Sequence, residues 1–400
     1  MIDGMFSRFL FAASIAVTAS AASYHFGAVW DGEKVWRDAC VVVEGDRIQS
    51  VGPCGAGSVD LTKYTAIPGL IDVHTHMTYV LENPVTRAGR GAATVFLAQE
   101  NARRTLETGV TTVRDLGASN YSDIAMRDLI AVGKLVGPRM FVAGYGLQNT
   151  RGTQVTPNTA HGAVEVDKIA RAQIAAGADW VKMYASTGSG QDVSGTQTYS
   201  FEEIQAATEA AHALGKKVAV HTYGPDAARD AVRAGVDSVE HATDMDDATI
   251  AEMVRRKIVY VPTIDHNRYY VDNNVLLHHR PDAKDGLNDY IRRNLETAKR
   301  AWAAGVTFAM GSDAVYTMFG ENTRELGWFV KAGMTPEQAL HAATANGAAL
   351  LGTEKSLGAL NAGYFADIVA VEGDPLGDIQ VAIDKVRWVM KAGKVVVDRR

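Results

Sequence analysis

Residues 68–77 read PGLIDVHTHM, an apolar run that ends in two histidines one residue apart. In a strand, residues two apart point to the same side. His74 and His76 can therefore reach one metal ion, although chance placement explains the dipeptide spacing when it is taken alone. An open doubly wound sheet usually carries a glycine-rich phosphate loop after its first strand, and this run has none.

Outward from this stretch, short apolar runs recur, each followed by an Ala-rich amphipathic segment. The eight strand candidates are AIPGLIDVHTHM, VTTVRDLG, RMFVAGYGL, DWVKMYAS, KVAVHTYG, DSVEHATD, IVYVPTID and VTFAMGSDA. Between them lie helical patterns such as LAQENARRTLETG, DKIARAQIAAG, FEEIQAATEAAHALG and ATIAEMVRRK. Gly109, Gly177, Gly215 and Gly305 stand where a helix should stop before the next strand. Strand–helix alternation repeated in this way predicts an α/β protein, a (β/α)8 TIM barrel.

The polar residues inside these strands carry the functional argument. A buried parallel strand should be apolar almost throughout. Yet the first, fourth, fifth, sixth and eighth candidates hold a His, Lys or Asp near the C-terminal end, the end that forms the active-site face of such a barrel. Lys182 ends the fourth in DWVKMYAS, His221 the fifth in VAVHTYG, His241 the sixth in SVEHATD and Asp313 the eighth in AMGSDA. A lysine in an apolar strand is costly unless its charge is changed or paired. A carbamate on its amine would make it an anionic donor able to bridge two cations; a salt-bridged or Schiff-base lysine is the alternative. Four imidazoles, a carbamate and a carboxylate form a mixed nitrogen and oxygen set that suits two divalent metal ions, Zn2+ foremost.

These residues resemble the amidohydrolase superfamily, in the branch of imidazolonepropionase-like proteins and metal-dependent Xaa-Pro or Xaa-Lys/Arg dipeptidases. PGLIDVHTHM is similar to the first-strand metal motif, and MTPEQALHAATANGAALLG with AGYFADIVAVEGDPLGDI resembles the C-terminal signature. The resemblance implies that His74, His76 and Asp313 hold the more buried ion, His221 and His241 the second, and carboxylated Lys182 bridges them. It also implies a hydroxide nucleophile held between the metals, with Asp313 passing its proton to the leaving amine. Tyr223 would polarise the scissile carbonyl. Dipeptidases of this branch often carry Gly-Gly-His-Gly after the third strand. Here the stretch is GLQNTRGTQVTP, so Arg151 is the candidate for a substrate carboxylate, a solvated loop arginine being the alternative. In the loop IDHNRYYVDNN, His266 and Arg268, with Tyr269 and Tyr270, are candidates for substrate contact or a lid. The remaining histidines read as surface or structural.

The expected function is thus a two-metal hydrolase of a C–N amide bond, in a dipeptide of Xaa-Pro type or an N-acyl amino acid. The alternatives are a mononuclear cyclic-amide hydrolase, a lactonase or esterase on the same site, and a barrel without chemistry. Lys182 favours two metals over one, since a one-metal site has no use for a bridging carbamate.

The rest of the chain bounds these readings. Its 400 residues, 47 % apolar and 22 % charged, are ordinary for a globular protein. A net charge of −6 gives no electrostatic reason for a nucleic-acid partner. Residues 9–19, FLFAASIAVTA, follow Arg8 and precede Ala19-Ser20-Ala21, the pattern of a signal peptide over residues 1–21. The expectation is a periplasmic or secreted protein with no membrane association after cleavage, acting on a small molecule or dipeptide. Cys40 and Cys54 flank a probable hairpin at unequal distances from its turn. They read as free thiols or as a disulfide reached through a diagonal or bulged approach. Both ends of the chain show short strands with Gly and Asp turns, so they should form one small domain. By the resemblance this is a β-sandwich of residues 22–64 and 358–400 around a barrel of residues 65–357, and the protein is a homo-oligomer.

Overall fold

The computed structural model describes residues 21–81, 91–149 and 157–400. The expected leader lies outside them except for Ala21, and so does Arg151. Four strands open the described chain: β1 (Ala22–Trp30), β2 (Val35–Glu44), β3 (Arg47–Gly52) and β4 (Val59–Pro68). Seven follow in the middle: β5 (Leu70–Thr75), β6 (Val110–Asp115), β7 (Arg139–Val142), β8 (Trp180–Tyr184), β9 (Lys217–Thr222), β10 (Ser238–His241) and β11 (Val259–Val261). The last three are β12 (Ile368–Val371), β13 (Val386–Lys391) and β14 (Lys394–Asp398).

The two ends of the chain join in one seven-stranded sheet, ordered β14-β13-β12-β4-β1-β2-β3. Two strands, β12 and β4, separate β1 from β13, yet the rings of Tyr24 and Phe26 lie 5.4 and 6.3 Å from Trp388. Neighbouring strands are about 4.8 Å apart, so the sheet must curl over these side chains, which share a buried cluster. Cys40 and Cys54 form a disulfide with Cα atoms 4.9 Å apart. The β2–β3 register shifts at Gln49, which takes up one residue of the unequal distances from the turn; Cys40 then pairs with Gly52 and reaches Cys54 diagonally, two residues on.

The central strands pair in parallel, as β5-β6-β7 and as β8-β9-β10-β11. Single parallel bridges, Leu147–Met183, Tyr260–Phe308 and Thr75–Ala314, continue from the edges of these two sheets. Helices alternate with the strands as their sequences dictate. The helix Phe201–Ala213 begins with a capping box between Ser200 and Glu203, and the four expected stop glycines all have left-handed φ. No helix among the described residues is long and apolar enough to cross a membrane.

Two strand expectations need correction. AIPGLIDVHTHM is not one strand but the end of β4 and the whole of β5, divided at Gly69. A Cβ there would lie 2.3 Å from Thr111 Oγ1, so only glycine lets the chain cross between the two sheets at this contact. The run VTFAMGSDA makes bridges but no regular strand. A Cβ on Gly311 would meet Val261 Cγ1 at 2.4 Å, and Asp313 has φ of 52°, so the segment departs from the pleat as it presents Asp313.

Candidate metal centre

His74 is the fifth residue of β5, and every residue of that strand is buried. Its Nε2 lies 3.4 Å from Asp313 Oδ1 and 3.3 Å from Lys182 Nζ. Nε2 of His76 lies 3.3 Å from the same Asp313 oxygen. The ring of His241 is 5.1 Å from that of His74 and 4.5 Å from that of His221. The six residues that the sequence assigns to metal ions thus converge, although they come from five separate segments of chain. The tightest donor group within them is His74, His241 and Asp313, whose ligand atoms lie within 4.8 Å of one another.

The backbone is bent to achieve this. His241, Thr263 and Asp313 all have positive φ, 71°, 48° and 52°. Such conformations cost of order 1–3 kcal/mol for a non-glycine residue and gather at functional sites.

Three of the four imidazoles have a partner behind them. His74 Nδ1 is 2.7 Å from Glu240 Oε2, His76 Nδ1 is 3.0 Å from the Gly117 carbonyl, and His241 Nδ1 is 2.6 Å from Thr263 Oγ1. Such contacts set the tautomer and aim of a ligating ring. Glu240 is held in turn by Arg114, at 2.8 Å, and by Ser238. Asp72, two residues before His74, accepts from the Ser312 amide at 2.9 Å and from Asn322 Nδ2 at 3.0 Å, bracing the turn that carries Asp313.

Burial dominates the electrostatics. It pushes His74 down to about 4, with Lys182 adding to the effect, and holds His221 and His241 well below the usual histidine range. At neutral pH these rings are neutral, the form that binds metal. Burial also lowers Lys182 to about 8. Burial would raise the Asp313 carboxyl, but His266, His74 and their neighbours outweigh it and keep the group well below the carboxylate range. Lys182 is fully buried, and among the described residues no carboxylate lies within ion-pair distance of its Nζ. The salt-bridged alternative for this lysine therefore has no structural counterpart.

Above the cluster opens a cavity of about 350 Å³. His76, His221, His241, His266 and Asp313 reach it from below, while Tyr79, Tyr184, Tyr223, Tyr270 and Tyr316 shape its walls. Tyr223 is stacked between His221 and Tyr290, with centroids 4.9 and 4.6 Å away. Its hydroxyl donates to Asn267 Oδ1 over a long 3.4 Å. Among the described residues, Asp313 is the sole acidic group on this lining, and no lysine or arginine is present there.

Two substrate-contact expectations change. The stretch IDHNRYYVDNN is a helix, Ile264–Asp272, rather than a loop up to that point. Helical spacing puts His266 and Tyr270 on one face, toward the cavity. His266 Nε2 comes 3.2 Å from Asp313 Oδ2. Arg268 does not line the cavity; it is engaged by Asp265, Asp272 and Glu321, because a position two residues from His266 turns to another side of the helix. Arg151 lies outside the described residues. Sequence reading does not single out Glu240, Asp72, Thr263 or Asn267. For Glu240 a signal exists, an acid within a buried strand directly before His241.

Comparison with known proteins agrees with this geometry. The amidohydrolase family matches residues 65–396. Ochratoxinase from Aspergillus niger is 30 % identical over 91 % of this chain and 84 % of its own length. A crystal structure of a Xaa-Pro dipeptidase with bound methionine superposes with a TM-score of 0.85 at 30 % identity, covering 94 % of this chain and 99 % of that one. A prolidase complexed with N-methylphosphonate-L-proline gives a TM-score of 0.86 at 26 % identity, covering 95 % and 100 %.

Proposed function

The chain belongs to the amidohydrolase family, and from that premise we propose that it is a two-metal hydrolase of an amide bond in a dipeptide or N-acyl amino acid. The observation that carries the reading is Lys182, a fully buried amine with no carboxylate at ion-pair distance among the described residues, 3.3 Å from His74. Reaction of its neutral amine with CO2 forms an N–C bond and releases a proton, which replaces a costly buried cation by an anionic donor.

In this reading His74, His76 and Asp313 hold one ion, His221 and His241 the other, and the Lys182 carbamate serves both. The donor set fits: His74, His221 and His241 are neutral, and His74, His76 and His241 have partners that fix their aim. When bound, the ions supply Lewis acidity and an activated water. Asp313 accepts a proton on its carboxylate and delivers it to the leaving nitrogen. Tyr223, held between two rings, offers its O–H to the developing oxyanion. The names of the relatives, a dipeptidase, a prolidase and an ochratoxinase, support an amide substrate. Among the described residues the lining offers no acidic partner for a Lys or Arg leaving group apart from Asp313 itself.

The same reading takes the central strands and their bridges as an eight-stranded barrel over residues 65–357, with the curled sheet of both ends as a β-sandwich. The Cys40–Cys54 disulfide supports a periplasmic or secreted location. Assembly as a homo-oligomer completes the proposal.

A one-metal alternative has one observation in its favour, the compact trio of His74, His241 and Asp313. The deciding experiment loads the protein with zinc, counts metal by elemental analysis, and screens Xaa-Pro, Xaa-Lys/Arg and N-acyl amino acid libraries. Two ions per chain with amide turnover support the proposal. Full activity at one ion per chain supports the mononuclear alternative, and the absence of amide turnover removes the assigned reaction.

A further inference from the structure

A second cavity of about 470 Å³ adjoins the first. The two share Ser189, Tyr270 and Tyr316, so one wall serves both. Tyr270 stands between them: its ring is 4.5 Å from His266 on the reacting side and 5.4 Å from His279 on the other. His266 is itself 3.2 Å from Asp313. A row of side-chain contacts, Asp313–His266–Tyr270–His279, therefore joins the reacting centre to the wall of the outer chamber.

The outer lining mixes apolar and polar groups, with leucines beside Ser189, His278 and His279. Leu276 and Leu277 lie in it, and no lysine, arginine or carboxylate of the described residues does. Leu276 keeps 49 % of its surface exposed. A leucine left half in water beside a catalytic cavity has a use if a ligand covers it. Each chamber alone lies near the lower end of the range for small-molecule sites, about 300–1,000 Å³. A short dipeptide needs only the inner one.

We propose that the outer chamber is a subsite for the distal, uncharged apolar end of an extended amide substrate, whose scissile bond sits in the inner cavity. This rests on the amide-hydrolase reading above. Two positions on the substrate can supply such a group, the acyl chain or the side chain of the leaving amine, and the test separates them.

The experiment uses the zinc-loaded full chain and two homologous series of neutral-chain amides. One lengthens the N-acyl group from acetyl to octanoyl on a fixed amino acid; the other lengthens the leaving side chain under a fixed acetyl group. Burial of each methylene should raise kcat/KM about 4-fold in the series that enters the chamber. Leu276→Asp should flatten that slope and Leu276→Met should keep it. Flat slopes in both series, or an unchanged slope in Leu276→Asp, overturn the subsite. If no amide in either series is cleaved, the hydrolase reading fails instead. Binding of the same compounds by calorimetry then still reports the slope: a rise with chain length supports the subsite and a flat series overturns it.

Discussion

Glu240 Oε2 lies 2.7 Å from Nδ1 of His74, and both side chains are fully buried. The contact places the ring proton on Nδ1 and leaves Nε2 free toward Asp313 and Lys182. Glu240 is the link between His74 and Arg114, whose guanidinium donates to it from inside the strand layer. Glu240→Gln should weaken metal binding by about 10- to 100-fold, the usual effect of losing such a carboxylate partner. Competition against a chelator measures it. Wild-type affinity in the variant would remove Glu240 from this role.

Lys182 should depend on CO2. Burial lowers its amine to about 8, and carbamate formation consumes the neutral amine. At a fixed concentration of dissolved CO2, reactivation of metal-free protein with zinc should therefore speed up as pH rises toward about 8 and level off above it. Lys182→Ala should lose most activity and regain part of it with a short carboxylic acid added. A rate of reactivation that falls with pH would contradict the assignment.

Asp313→Asn should keep fold and stability but lower kcat by a factor of about 10²–10⁴, the range for a positioned acid–base group. Circular dichroism and steady-state kinetics check both halves. Unchanged turnover would refute the proton-transfer role.

Glu325 gives a pH signature unrelated to catalysis. Its carboxylate accepts from the Ile264 and Asp265 amides at 2.9 and 2.8 Å, yet burial pushes it up to about 8. Between its ordinary value of 4.5 and about 8 the folded protein holds a proton that the unfolded chain has lost. Its contribution to stability therefore falls as pH rises through that window. Glu325→Gln should flatten this part of the denaturation profile measured from pH 5 to 8. An identical slope in the variant would show that the group does not titrate there.

The disulfide closes a short segment, with 14 residues of separation. Replacing Cys40 and Cys54 together by serine should cost roughly 3 kcal/mol in denaturant unfolding, the value expected for a closed loop of about this length. The metal site lies in a different part of the fold, so zinc content should not change.

Much of the architecture and of the metal set was legible in the linear chain. Strand–helix alternation shows as a change of hydrophobic period, and the stop glycines mark helix ends because they must take left-handed φ. A His, Lys or Asp at the end of an apolar run is conspicuous there because burial would otherwise penalise it. That is why His74, His76, Lys182, His221, His241 and Asp313 could be named without coordinates.

Tertiary structure alone decided the rest. The break at Gly69 depends on how close Thr111 comes from another strand. The face of Arg268 depends on where a helix begins after β11, and the pairing of Cys40 with Cys54 on a diagonal approach helped by a bulge in β3. Glu240 acquires its meaning only when β5 and β10, 166 residues apart at this contact, bring it to His74. Local pattern records which residues are buried and with what period, whereas a contact between distant strands is set by packing that no single segment encodes.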